Sequence, residues 1–254
     1  MNVTTYKTKK VEASDNLFEI LDEYLPKLQE KDVVLITSKI IAITQGRVVK
    51  NDGKITKLDL IKKEADLYLP EEYVNYGVYL TIKNNMFVAS AGIDESNGNG
   101  YFILWPENLE KTTNEIWEYL RKKHNIKELG VVVTDSRIAP LRRGVTGVGL
   151  SWCGFLPLRN YIGKPDIYGD NLHVTKTNIV DGLAASAVLN TGEGSEQTPL
   201  AVANDISNIE FVNRVPTKEE INEMSISPND DVYGKIISSV EWIKGKSRID
   251  KINE

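Results

Sequence analysis

Two short stretches each end an apolar, strand-like run on an aspartate. AGIDESN (Ala91–Asn97) presents Asp94, and VVVTDS (Val131–Ser136) presents Asp135 beside Ser136. A strand end opens to solvent, so an aspartate there packs poorly and is well placed for a divalent cation. Together with the Gly- and Glu-rich loop Thr191–Gln197, these are the hard oxygen ligands that Mg²⁺ or Mn²⁺ prefers. The chemistry they point to is that of a metal–phosphate enzyme.

Each motif also has a plainer reading. Asp, Ser, Asn and Gly are all turn formers, so AGIDESNG can be a turn. Asp135-Ser136 can be a helix N-cap rather than a carboxylate–hydroxyl pair on one cation. Arg142-Arg143, with Arg137 and Arg159 nearby, offers guanidiniums for phosphate or carboxylate, or is a solvated loop. Gly192 and Gly194 let backbone approach a phosphate, but a Gly after a helix is also a common C-cap. Glu193 and Glu196 are what a plain cap does not explain.

Familiar devices are missing. The chain has no G-x-x-x-x-G-K-[ST], no G-x-G-x-x-G, no HExxH and no paired-Cys motif. Of the two histidines, His124 lies in the charged stretch RKKHN and reads as a surface residue, and His173 is a base or nucleotide contact or, more plainly, a structural residue. The single cysteine, Cys153, excludes an intrachain disulfide, and its neighbours Trp152 and Phe155 point to burial rather than nucleophilic use.

The composition bounds the rest. The 254 residues are 41% hydrophobic and 26% charged, which suits a globular protein with a large core. A net charge of −5 favours neither nucleic acid nor an anionic membrane. The N-terminus shows no signal-like apolar run and no segment approaches a membrane span, so the expected location is cytoplasmic.

The elements that must position these residues follow from periodicity. Leu17, Ile20, Leu21, Tyr24 and Leu25 predict an amphipathic helix over Ser14–Leu28, capped by Ser14 or Asp15. Asp32–Thr37 and Leu129–Thr134 read as buried strands, and SKIIAITQGRVV as helix or turn followed by strand. Leu58–Tyr68 predicts a second short helix. Tyr76–Ile82 and Met86–Ser90 predict a hairpin around Lys83-Asn84-Asn85. Asn108–His124, Asn178–Asn190 and Asn229–Lys244 predict further helices, the last carrying Val232, Ile236, Ile237, Val240 and Trp242. LAVA after the Gly-rich loop is a strand. Asp135–Asp170 shows no period and reads as a long functional loop. The charged last residues are expected to fray. Without a βαβ rhythm, the fold class is α+β, with mixed or antiparallel sheets and flanking helices. One domain over 1–254 is expected, with room for a second lobe inserted around 143–175.

The ordered set VVLITSKIIAITQGRVV, FVASAGIDESN, LWPEN, VVVTDSRIAPLRRGVTGVGL and DGLAASAVLNTGEGSEQTPLAV resembles the F420-0:γ-glutamyl ligase family. It spans about Asp32 to Val202. The resemblance implies an α+β fold of two intertwined lobes, commonly a homodimer. It implies use of GTP (or ATP) with Mg²⁺ or Mn²⁺ to activate an acceptor carboxylate as an acyl phosphate, which the amine of L-glutamate attacks. By motif position, Asp94, Asp135, Ser136 and Glu193 would hold the metal. Ser38, Lys39, Asn97 and the Thr191–Thr198 loop, including Gly192, Gly194, Ser195 and Glu196, would meet the nucleotide. Asp94, Asp135 and Arg142 would serve the chemistry.

The departures from the family pattern are local. Ile43 stands where the resemblance places a nucleotide-contacting lysine. The Arg137–Gly147 segment lacks the usual aromatic, Arg and Asp, with Leu141, Ala139 and Gly147 in their places. KKVEASDNL replaces a GIPLI-like start. The acceptor expected is F420-0, with a folate as the alternative of the same family. A non-catalytic nucleotide-binding relative and a plain structural protein are the readings from other classes.

Overall fold

The computed structural model describes residues 1–247. The elements in chain order are β1 (Asn2–Tyr6), α1 (Leu17–Tyr24), β2 (Asp32–Thr37), α2 (Ser38–Thr44), β3 (Val48–Lys50), α3 (Lys57–Glu64), β4 (Leu67–Tyr68), β5 (Leu80–Lys83), β6 (Met86–Ala89) and β7 (Tyr101–Ile103). They continue with α4 (Leu109–His124), β8 (Leu129–Ile138), β9 (Val145–Cys153), β10 (Leu158–Asn160), β11 (Lys176–Asn178), α5 (Ile179–Thr191), β12 (Leu200–Asn204), α6 (Lys218–Met224), α7 (Gly234–Ile237) and β13 (Ile243–Lys244). The fold is α+β, as the mixed pattern predicts. No helix of the described residues is long and apolar enough to cross a membrane.

The main sheet runs β1-β12-β2-β8-β9. Only β2 and β8 pair in parallel; the other neighbours are antiparallel. Alternation explains why β2 and β8 look uniformly apolar. Val34, Ile36, Val131 and Val133 face one core with α1, α2 and α4, while Val33, Leu35 and Val132 face another beneath α5. A separate core of Leu60, Ile61, Phe102 and Leu104 underlies a smaller lobe. That lobe carries the sheet β13-β4-β5-β6 and the pair β3-β7.

Several expectations need correcting. The first helix is shorter than Ser14–Leu28 and is capped by Asn16, whose side chain accepts from Phe18 and Glu19 N–H, rather than by Ser14 or Asp15. The second ends at Glu64, because Leu67–Tyr68 leaves the helix to pair with β5. The hairpin forms with Asn84 and Asn85 at φ 50° and 58°, as a two-residue turn with left-handed φ requires, and Lys83 closes its first strand. Asn229–Lys244 is not one helix: only Gly234–Ile237 is helical, Val232 and Ile236 are exposed, and Ile243–Lys244 adds to the edge of β4. Gly234 sits too close to the Pro228 carbonyl for a side chain, 1.7 Å from where a Cβ would lie. The fraying expected of the last residues falls outside the described ones.

Up to Cys153 the supposed loop Asp135–Asp170 is a long hairpin, β8 running on to Ile138 and β9 returning from Val145, and from there to Asp170 only β10 is regular. Its glycines hide the period for a packing reason. A Cβ on Gly147 would lie 2.1 Å from the Ala184 carbonyl oxygen, and one on Gly149 would lie 2.2 Å from Val180. These strand positions are bare so that α5 can lie against the sheet. That close approach delivers the loop after α5 to Asp135 and Ser136 of β8.

Candidate active site

The C-terminal end of β2, helix α2, residues Thr134–Ser136 of β8 and the loop after α5 meet around a cleft of about 570 Å³. The segment Thr8–Glu12 after β1 closes one side, and its position is fixed by Thr8 N–H donating to the Gln197 carbonyl at 2.9 Å. Val11, Ile40, Ile43, Val188 and Pro199 give the cleft an apolar wall; lysines and carboxylates face them.

Asp94 follows a short 3₁₀ turn in which Ser90, Ala91 and Gly92 all have φ between 49° and 72°. Its backbone bridges Ile103 in both directions, which anchors it at the mouth of the smaller lobe. The carboxylate accepts Ser96 N–H at 2.7 Å and Ser96 Oγ–H at 2.8 Å, and pairs with Lys39 Nζ at 2.7 Å. The turn and the charged site are thus the same feature. Lys39 also donates to the Ser96 carbonyl at 3.1 Å. Asn97 Nδ2 donates to the Gly194 carbonyl at 3.0 Å, tying AGIDESN to the loop after α5.

Asp135 lies on β8. Its Oδ1 accepts Ser136 N–H at 2.8 Å, and its Oδ2 accepts the indole N–H of Trp105 at 2.5 Å. In the Thr191–Gln197 loop, Gly192 turns at φ 73° to end α5, and Glu196 Oε2 accepts Gly194 N–H at 2.8 Å. Thr198 Oγ1 closes the loop by donating to the Thr191 carbonyl at 2.7 Å.

The carboxyls at this end of the cleft feel one another. Burial pushes Asp135 up to about 6, with the bonds from Ser136 and Trp105 opposing and the charge of Asp94 adding. Glu193 is also raised, by burial first; Lys39 and the Ser136 hydroxyl oppose, while Asp94 and Glu196 add. Burial acts on Asp94 too, but its bonds and charge pairing with Lys39 win and hold it below its ordinary value. Lys39 is therefore a counter-charge common to Asp94, Asp135 and Glu193.

Among the described residues, no three His, Cys, Asp or Glu side chains gather into a metal cage. The donor chemistry nevertheless fits a hard cation: Asp94, Asp135, Glu193 and the Ser136 hydroxyl are oxygens facing one cleft. Mg²⁺ in particular is commonly held by one or two carboxylates and completed by substrate phosphates and waters, without an all-protein cage.

The fold thus brings Lys39, Asp94, Asn97, Asp135, Ser136, Thr191, Gly192, Glu193, Gly194, Ser195 and Glu196 to one cleft. It does not bring all the predicted residues there. Ser38 is buried in the first turn of α2 and does not line the cleft, and Arg142 is exposed near the tip of the β8–β9 hairpin. His124 is half-buried and accepts Leu28 N–H at 3.2 Å, so it is not a free surface residue. Its imidazole lies below its ordinary value, by burial first and then the Lys123 charge. Cys153 is buried, and burial pushes its thiol up to about 12, which fits the non-nucleophilic reading. Sequence reasoning missed Lys9 and Lys10 in the cleft and the bond from Trp105. KTKK after β1 carried the first signal, charge at a strand end; nothing local announced the second.

The wider comparisons agree with the resemblance. The model of the F420-0:γ-glutamyl ligase family matches residues 5–205. The coenzyme F420:L-glutamate ligase of Methanopyrus kandleri is 30% identical over 209 residues, 76% of this chain and 82% of that protein. That of Haloarcula marismortui is 31% identical over 216 residues, 77% and 83% of the two chains. That of Methanosarcina mazei is 27% identical over 218 residues, 79% and 84%. With a match running from β1 to the end of β12 and taking in every wall of the cleft, the chain belongs to the F420-0:γ-glutamyl ligase family.

Proposed function

We propose that this chain is a nucleoside-triphosphate- and divalent-cation-dependent amide ligase that joins L-glutamate to the carboxylate of an F420-0-type acceptor. Family membership supports glutamate ligation on such an acceptor. The observation that carries the nucleotide and cation is the cleft itself. Three carboxylates share one lysine beside a Gly-rich loop. A polyphosphate entering so acidic a cleft needs cations to offset its charge.

The reaction balances as follows. An acceptor carboxylate oxygen attacks the terminal phosphorus, and the bond to the bridging oxygen breaks, releasing nucleoside diphosphate. The glutamate amine attacks the acyl carbon of the resulting acyl phosphate; the C–O bond breaks, phosphate leaves, and the amine gives up a proton. Asp94, Asp135, Ser136 and Glu193 are the residues that would hold Mg²⁺ or Mn²⁺, which when bound offsets phosphate charge. Lys39, whose ammonium is held by Asp94 and Ser96, would exchange one of those contacts for a phosphate oxygen. The Asn97–Gly194 bond holds the loop in register with Asp94. The apolar wall of Val11, Ile40 and Ile43 offers a surface for an aromatic ring. A homodimer belongs to the same proposal, and sedimentation equilibrium measures it.

The test is phosphate release from GTP and from ATP with Mg²⁺ or Mn²⁺ and L-glutamate, in parallel with F420-0, a reduced folate and no acceptor. Release that needs F420-0 and adds one glutamyl mass to it supports the proposal. Release with folate alone moves the acceptor. Nucleotide binding without release under any acceptor replaces it with a non-catalytic relative, which the uncharged Ile43 in the cleft would explain.

A further inference from the structure

Trp105 is nearly sealed in the protein, 4% exposed, yet its indole N–H is spent on a carboxylate of the cleft. We propose that Trp105 is a positioning residue for the cation site: it fixes the Asp135 carboxylate toward the cleft, and a buried ion cluster behind it fixes Trp105. The inference rests on the cation-dependent reading above.

The geometry is specific on both sides of the ring. The indole N–H takes Asp135 Oδ2 at 2.5 Å while Ser136 N–H takes Oδ1 at 2.8 Å. Each oxygen of an ionised carboxylate has two lone pairs, so both keep one for a cation. Rotation of the carboxylate would break two hydrogen bonds at once. The indole reaches this position only because residue 92 is glycine. A Cβ there would lie 2.0 Å from Trp105 Nε1.

Behind the ring, Arg47 Nε donates to the Trp105 carbonyl at 3.1 Å. Arg47 Nη2 and Lys83 Nζ both bind Glu64 Oε2, at 2.7 Å and 2.8 Å. The Lys83 ammonium stands 5.4 Å from the Trp105 ring centroid, in cation–π range. Backbone and ring of Trp105 are thus each held by a cation that Glu64 orients. An outer partner that orients a metal-binding carboxylate commonly changes metal affinity by about 10–100-fold when removed. A tryptophan that merely fills space would not.

The test is Mn²⁺ affinity, by electron paramagnetic resonance, of wild type, Trp105→Phe and Trp105→His. It is joined by ¹⁵N indole resonances of the whole chain. Trp105→Phe should weaken Mn²⁺ about 10–100-fold, and Trp105→His, which restores a ring N–H, should recover part of the loss. In wild type, Mg²⁺ should move the Trp105 indole resonance, and Asp135→Asn should move it in metal-free protein. The resonances of Trp117, Trp152 and Trp242 report that each variant is folded. Wild-type Mn²⁺ affinity in Trp105→Phe overturns the inference alone, as does a Trp105 resonance that ignores Asp135→Asn. Wild-type protein that binds neither cation, alone or with GTP or ATP present, overturns the cation-dependent reading, and the inference with it.

Discussion

Glu64→Gln should destabilise this protein by about 3 kcal/mol at neutral pH. The side chain of Glu64 is 10% exposed and its Oε2 accepts from both Arg47 and Lys83, whose side chains are 19% and 8% exposed. The amide keeps the shape and can still turn one oxygen to both cations, but it removes the negative charge that offsets them. Breaking a buried ion pair by removing one partner costs about 3–5 kcal/mol, because the surviving charge is stranded. Two features place the value at the lower end. Arg47 keeps Glu107 at 2.9 Å, and Lys83 keeps the face of Trp105. At about 2–4 °C per kcal/mol for a chain of this size, the thermal midpoint should fall by roughly 6–12 °C.

The pH dependence gives the mechanism away. Burial pushes the Glu64 carboxyl up, but the charge of Lys83 and bonds from Lys83 and Arg47 outweigh it, so the native value lies below 4.5. A depressed carboxyl contributes stability above its unfolded value and loses it as pH falls through the native one. The gap between wild type and Glu64→Gln should therefore narrow in acid. It should narrow in alkali too. Burial holds Lys83 below its ordinary value of 10.5, and without Glu64 it falls further, so the variant regains stability as the stranded ammonium deprotonates. Urea unfolding followed by circular dichroism across pH reads both limbs. A variant within about 1 kcal/mol of wild type at pH 7, or a gap that ignores pH, would refute the reasoning, since buried pairs are expected to cost several times that.

Gly92→Ala should cost about 1–3 kcal/mol from overpacking alone, since its Cβ would lie 2.0 Å from Trp105 Nε1 at a backbone φ of 72°; unfolding midpoints check it, and an unchanged midpoint would disprove the close approach. Lys39→Met should weaken nucleotide binding about 10–100-fold, the worth of a charged hydrogen bond, while the Asp94 carboxyl rises toward its ordinary value; calorimetric titration measures the first and carboxyl NMR the second. Under the proposed function, the Mn²⁺ affinity of the protein should fall as pH drops through about 6, because the raised Asp135 carboxyl then takes a proton in place of a cation; an affinity unchanged down to pH 5 would exclude Asp135 from that duty. Native Cys153 should resist a thiol-specific reagent at pH 8 and react after unfolding, since burial both covers the thiol and pushes it up to about 12.

Local chemistry was legible wherever neighbours along the chain decide it. Short continuous apolar runs located β2 and β8, and the Asn84-Asn85 turn set its hairpin. The strand-end reading singled out Asp94 and Asp135 before any cleft was visible, although β8 runs on past Asp135 to Ile138 and a 3₁₀ turn separates Asp94 from β6. The same reasoning failed where packing between distant segments replaces local preference. Gly147 and Gly149 looked like loop residues because the reason for their bareness is helix α5, more than thirty positions away in sequence. The apolar spacing of Val232, Ile236 and Ile237 suggested a helix, but Val232 and Ile236 are exposed, only Ile237 is half-buried, and one turn is all that forms.

The sequence by itself determined the α+β class, three strands of the main sheet (β2, β8 and β12) and the carboxylates Asp94 and Asp135, because apolar runs and turn chemistry act over a few residues. Only the tertiary structure decided which of those groups share a cleft. It joined Asn97 to Gly194, gave Lys39 to Asp94, kept Ser38 and Arg142 out of the cleft, and set Trp105 against Asp135. Those contacts depend on the strand order β1-β12-β2-β8-β9 and on how closely α5 and the smaller lobe approach it. Sheet order and close approach are settled by burial of whole faces, which no short window of the chain contains.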